Sequence, residues 1–108
     1  MKIELLVVAD CPNEQPTADL IGQALRDVGL PGAGFTTRVI ADRGDAVRAG
    51  FTGSPTVLVD GRDPFAEEGR EPGLACRVYR SPQGLSGVPP LEGLRQALRE
   101  AGAAEPPR

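Results

Sequence analysis

Histidine is absent from the 108 residues, which removes the commonest general base and metal ligand at neutral pH. Cysteine is scarce: Cys11 and Cys76 are the only two, too few to complete a four-cysteine zinc or iron–sulfur site. No run of about 18 apolar residues occurs, so no segment is expected to span a membrane. The apolar run Leu5–Ala9 is too short for an export signal, and Glu4 interrupts the stretch before it. Asp10 stands before Cys11, where a lipoprotein site needs a small residue. A cytoplasmic protein is expected, and there a cysteine pair reads as reactive or buried before it reads as a structural disulfide. Aromatic residues make up only 4%, and the 12 Lys and Arg residues are spread among 15 Asp and Glu. With no basic stripe and no aromatic platform, nucleic acid is not an expected partner. Phosphate-cradling glycine patterns are missing as well, so no nucleotide or other cofactor is implied.

What remains is an ordinary globular composition, 40% hydrophobic and 25% charged, of a length suited to one domain. That domain is expected over 1–101, with a frayed, disordered tail over 102–108. Residues 2–9 become continuously apolar through Leu5, Leu6, Val7 and Val8, the pattern of a central strand buried on both faces. A helix is expected over 13–29, with Asn13 as N-cap, Pro16 in the first turn and Leu20, Ile21, Ala24, Leu25 and Val28 on one face. Phe35 to Ile40 reads as a second strand and Asp45 to Ala49 as a short helix closed by Gly50. Thr56–Val59 reads as a third strand, followed by the turn signal Asp60-Gly61. The stretch 62–73 reads as loop, Cys76 to Arg80 as extended, Ser81–Gly84 as a turn and 90–101 as a final helix. The expected class is α/β, a mixed sheet of about four strands flanked by helices, its first two strands parallel and its last pair antiparallel.

This element order, with Cys11 at a strand-to-helix junction and Ser54-Pro55-Thr56 opening the third strand, resembles the thioredoxin superfamily. The resemblance implies a thioredoxin-like domain in which the Ser54–Pro55 bond is cis and lies opposite Cys11. It also implies a free backbone edge there, able to hold a peptide, a disulfide or glutathione. The family's second cysteine would stand where this chain has Glu14. Four motifs are similar to those of short bacterial thioredoxin-like proteins, some labelled alkylmercury lyase. They are Cys11-Pro12-Asn13, Gly53-Ser54-Pro55-Thr56, Asp60-Gly61-Arg62-Asp63-Pro64-Phe65 and Cys76-Arg77-Val78-Tyr79. Organomercurial lyases use two cysteines and an acid three residues after the first, a trio that Cys11, Glu14 and Cys76 could imitate.

Cys11 is thus the first candidate for catalysis. At a helix N-terminus its thiolate would be stabilised by unpaired N–H groups and by the helix dipole. Glu14, one helical turn on, would oppose the thiolate when ionised and could deliver a proton when neutral, although an acid in a first helical turn needs no catalytic role. Pro12, Asn13, Ser54, Pro55 and Thr56 are the candidate substrate-binding residues. Asp63-Pro64-Phe65 would line a groove or anchor a loop. For Cys76 two placements stand open. If 75–80 pairs directly with 56–60, Cys76 lies roughly 13 Å along the strand from the Cys11 level, beyond the ~7 Å allowed between disulfide-bonded Cα atoms. If 62–65 supplies the pairing strand instead, 76–80 returns towards Cys11. A buried, inert thiol is the ordinary expectation for a strand cysteine.

Three functions follow as expectations. One is monothiol thiol–disulfide exchange through Cys11, alone or with Cys76 as remote partner, on a small thiol, disulfide or soft electrophile, or on a protein partner. Another is carbon–mercury cleavage by Cys11, Glu14 and Cys76. The last is a non-catalytic binding module that retains the fold.

Overall fold

The computed structural model describes residues 1–104. In chain order it forms β1 (Ile3–Val7), α1 (Glu14–Asp27), β2 (Thr36–Val39), α2 (Arg43–Ala49), β3 (Thr56–Val59), β4 (Tyr79–Ser81), β5 (Gly84–Ser86) and α3 (Leu91–Ala104). The fold is mixed α/β. A three-stranded sheet has the order β2-β1-β3, with β1 parallel to β2 and antiparallel to β3, and β4 and β5 form a separate antiparallel pair.

The apolar run of β1 makes it the central strand, because side chains of a strand alternate between faces and both faces here are covered. Ile3, Leu5 and Val7 pack with Val57 and Val59 of β3, Ile21, Ala24 and Leu25 of α1, and Leu94 and Leu98 of α3. On the opposite face Leu6 and Leu58 pack with Ile40, Ala46 and Phe51, below α2. Antiparallel register puts Leu6 beside Thr56 and Leu5 beside Val57, so both strands divide their side chains between the same two cores.

Helix α1 ends where glycine was expected to end it. Gly29 adopts φ 81°, and the Leu30 N–H reaches back to the Leu25 carbonyl at 2.8 Å, closing a Schellman-type cap. Asn13 occupies the N-cap position, yet its side chain makes no capping hydrogen bond. It turns instead towards Gly87, where a Cβ would come within 2.5 Å of the Asn13 amide nitrogen. Helix α2 starts two residues before the expected Asp45. The Asp42 carboxylate accepts the Asp45 N–H at 2.8 Å, while the Asp45 carboxylate accepts the Ala41 N–H at 3.2 Å, a reciprocal cap that fixes the first turn.

Two sequence expectations are corrected. The stretch 76–80 does not extend the sheet as a fourth strand antiparallel to β3. Only Arg62 meets Val59, through the tight turn at Asp60 (φ 52°) and Gly61 (φ 80°), and 79–81 turns away to pair with 84–86. The physical reason lies just before β3, where Cys76 bridges Ser54 in parallel and so sets its segment running the opposite way to the one expected. The expected tail also begins too early. Residues 102–104 continue α3, as the alanine-rich stretch favours, and 105–108 lie outside the described residues. Among the described residues no helix is long and apolar enough to cross a membrane.

Candidate functional site

Strand β1 delivers the chain to one end of the sheet, and the residues singled out in the sequence gather around that end. Val8 directly follows β1 and faces Ser54, whose hydroxyl accepts the Val8 N–H at 3.0 Å. Three residues later comes Cys11, half-buried against the larger core. Its carbonyl accepts the Glu14 N–H at 3.2 Å, which folds 11–14 into the turn that starts α1. Glu14 is half-buried at the head of that helix, and Pro12 is exposed.

Beside Val8, the Ser54–Pro55 peptide bond is cis. Ser54 is 1% exposed and Thr56 0%. The backbone edge at Ser54 is not free. Its N–H donates to the Ala75 carbonyl at 2.9 Å, and its carbonyl accepts the Arg77 N–H at 2.9 Å. These two bonds flank Cys76 and make it the parallel-bridge partner of Ser54. The Gly73 N–H, bonded to the Phe51 carbonyl at 3.1 Å, extends the same alignment, so 73–77 runs beside 51–54. Neither placement open for Cys76 is adopted as drawn: 75–80 does not pair with 56–60 and 62–65 supplies no pairing strand, and 75–77 instead joins Ser54 at the end of the sheet where β1 runs out. Val8, Ser54 and Cys76 lie side by side, so Cys76 is two strand spacings, about 10 Å, from the end of β1. The expectation of a buried thiol is corrected, because Cys76 is exposed and Arg77, its neighbour, is the buried one.

The hold on this segment comes from side chains that pair across two loops. Arg77 is 2% exposed. Its guanidinium donates to the Asp63 carboxylate at 2.6 and 3.3 Å, to the Thr56 hydroxyl at 3.1 Å and to the Phe65 carbonyl at 2.7 Å. It also lies over the Tyr79 ring, 4.6 Å from the centroid, where the cation meets the negative face of the ring. Phe65 meets the same ring edge-on at 5.3 Å. The Tyr79 hydroxyl donates to the Pro55 carbonyl at 2.5 Å, and burial of that phenol pushes its pKa well above the ordinary value. Thr56 completes the cluster by donating to the Gly53 carbonyl at 2.6 Å. Gly53, at φ 142°, carries no Cβ because one would sit 2.9 Å from the Arg77 Cβ.

Of the expected substrate-binding residues, Ser54, Pro55 and Thr56 are buried and their polar groups serve this internal cluster, whereas Pro12 and Asn13 lie on the accessible side of the turn. Asp63 was read from the sequence only as lining a groove or anchoring a loop, and Arg77 and Tyr79 only as part of a motif. A signal for them exists in the spacing. Asp63 and Phe65 stand two apart, as do Arg77 and Tyr79, and two-residue spacing in extended chain puts each pair on one side. The pairs are complementary, acid to base and ring to ring.

A cavity of about 160 Å³ lies beside the cluster, lined by Phe65, Glu67, Arg70, Arg77, Tyr79 and Arg80 among others. A wider groove of about 860 Å³ runs between the β4–β5 pair and the helices, past Leu20, Val88, Pro89 and Leu91. Neither is lined by a cysteine; Cys11 is half-buried against the larger core and Cys76 is exposed on the segment bridged to Ser54. Among the described residues no three acidic or cysteine side chains group as a metal site would require. No family model, curated protein or solved structure matches this chain.

Proposed function

We propose that this protein is a thioredoxin-like, thiol-dependent oxidoreductase in which Cys11 attacks and Cys76 resolves. The observation that supports it most is the pair of backbone hydrogen bonds, Ser54 N–H to the Ala75 carbonyl and Arg77 N–H to the Ser54 carbonyl, which holds Cys76 beside Ser54 at the end of the sheet where β1 runs out. The cis bond at Ser54–Pro55, beside Val8, is in keeping with the same reading.

The Cys11 thiolate attacks one sulfur of a low-molecular-weight disulfide. A Cys11–substrate disulfide forms, and the other half leaves as a thiolate. The Cys76 thiolate then attacks the Cys11 Sγ, closing a Cys11–Cys76 bond and releasing the second half. The substrate gains two electrons and, in the end, the two thiol protons. Two equivalents of an external low-molecular-weight thiol reopen the pair. Helix α1 contributes by fixing the turn that carries Cys11, through the Glu14 N–H bonded to the Cys11 carbonyl. Glu14 stands one helical turn from Cys11, within reach of a proton transfer to a leaving sulfur.

The test is turnover of hydroxyethyl disulfide, coupled to an external thiol. Loss of turnover in Cys11→Ser is the expected result, and Cys76→Ser should be held as a Cys11 mixed disulfide when the external thiol is left out. Full activity in Cys11→Ser would remove the proposal. Release of hydrocarbon from an organomercurial, lost in Glu14→Gln, would replace it with carbon–mercury cleavage by the same three residues.

A further inference from the structure

An unpaired strand edge offers N–H and carbonyl groups to any extended chain that can lie along it, and this is how many proteins take hold of peptides. Beside Pro55, the groups that would do so belong to Ser54, and both are engaged by Ala75 and Arg77 of the same chain at 2.9 Å. The occupant is anchored on either side of Cys76. Upstream, the Gly73 N–H is bonded to Phe51; downstream, Arg77 and Tyr79 are bonded to Asp63, Thr56, Phe65 and Pro55. Gly53 leaves no gap, since the Arg77 Cα would lie 3.2 Å from a Cβ placed there.

From this arrangement we infer that residues 75–77 are a resident occupant of the protein's own peptide-docking edge, which restricts Cys11 to small disulfides and excludes extended protein segments. The inference rests on the thiol-exchange reading above and names its substrate class. A small disulfide needs only the exposed rim around Cys11 and Pro12, whereas a protein segment needs the Ser54 backbone. Cys76 takes the place that the cysteine of a docked peptide would fill, which makes the resolving thiol a built-in substitute for a substrate thiol. Backbone atoms impose the restriction, so the Cys76 sulfur is not required for it.

The experiment compares hydroxyethyl disulfide with the interchain disulfides of insulin, each against an external-thiol background, while hydrogen exchange follows the Ser54 and Arg77 amides. The wild type is expected to consume the small disulfide and to leave insulin at background, with both amides protected. Cys76→Ser should keep insulin excluded and the amides protected. Tyr79→Phe, a mild change, and Asp63→Asn, a stronger one, should accelerate exchange at both amides and raise insulin reduction by about tenfold, the scale of losing one hydrogen bond. Insulin reduction by the wild type at a rate like that of the small disulfide would overturn the restriction and leave the thiol chemistry standing. Accelerated exchange without any gain on insulin, or unaltered exchange in both variants, would overturn the role of the occupant. No turnover of either disulfide would remove the thiol-exchange reading itself.

Discussion

The two edges of the three-stranded sheet are built in opposite ways. Strand β2 forms one edge, and all four of its residues, Thr36–Val39, are exposed. Strand β3 forms the other, and all four of its residues, Thr56–Val59, are buried. What differs is the chain that follows. After β2 the backbone passes into α2 and does not return, whereas after β3 it comes back twice, at Arg62 and at Cys76. The first edge is closed by nothing that an apolar pattern specifies. The second is closed by an ion pair, a cation over a ring and a tyrosine hydroxyl. Burial alone therefore organises β1 and the helices, and polar pairing organises the side of the molecule that holds the Ser54–Pro55 turn and Cys76.

The largest expected effect on that contrast comes from Arg77→Ala. Side-chain exposure at the ion pair is 1% for Arg77 and 10% for Asp63, so the substitution leaves a nearly buried carboxylate alone. Breaking such a pair costs about 3–5 kcal/mol, which chemical denaturation would register. Leu5→Ala in the central strand should cost a similar amount, about 2–5 kcal/mol. The two should part in their local effects. Arg77→Ala should expose the Ser54 amide to exchange under native conditions, whereas Leu5→Ala should change that exchange only as far as global stability falls. Equal local effects would erase the distinction between the two modes of closure.

Gly53→Ala should come next, at about 1–3 kcal/mol, because a left-handed φ and a contact with the Arg77 Cβ are imposed together. Tyr79→Phe removes one hydroxyl bond to Pro55 and should cost about 1 kcal/mol in urea unfolding. The smallest effect belongs to the exposed bridge from Asp27 of α1 to Arg95 of α3. Hydrogen bonding from Arg95, then from Gln23, holds the Asp27 carboxyl below its ordinary value of 3.8. A carboxylate whose pKa is depressed on folding adds stability above the unfolded value, and that addition fades as pH falls through the lower folded value. Thermal denaturation of Asp27→Asn should therefore match the wild type more closely near pH 2 than at pH 7.

Much of the regular structure was legible from residue pattern. Thr56–Val59 has the expected bounds, β1 lies within the expected 2–9, and Gly29, Gly50 and Asp60-Gly61 stand at the stops where they were read. The apolar periodicity that located these elements is local, and so is the chemistry of turns. The placement of Cys76 was not legible in this way. It depends on which neighbour 75–77 chooses, and that choice is made by Arg77 meeting Asp63 and by Tyr79 meeting Pro55, 14 and 24 residues away in sequence. The early start of α2 escaped because the Asp42 cap precedes the apolar residues by which that helix was found. That Cys11 and Ser54–Pro55 belong at one end of the sheet was expected only through the resemblance to thioredoxin-like proteins. The burial of Thr56 beneath the Arg77 guanidinium was not, since nothing in a strand pattern says which side chain will lie over it.

The central claim, that the two thiols share one end of the sheet and act together, is tested most directly by mapping disulfides after brief treatment with diamide at low protein concentration. The account predicts a monomer lighter by two hydrogens, with a digest joining the Cys11 and Cys76 peptides and no such product in Cys11→Ser or Cys76→Ser. Cysteines that form only mixed or intermolecular disulfides, each at a rate unaffected by loss of the other, would contradict it.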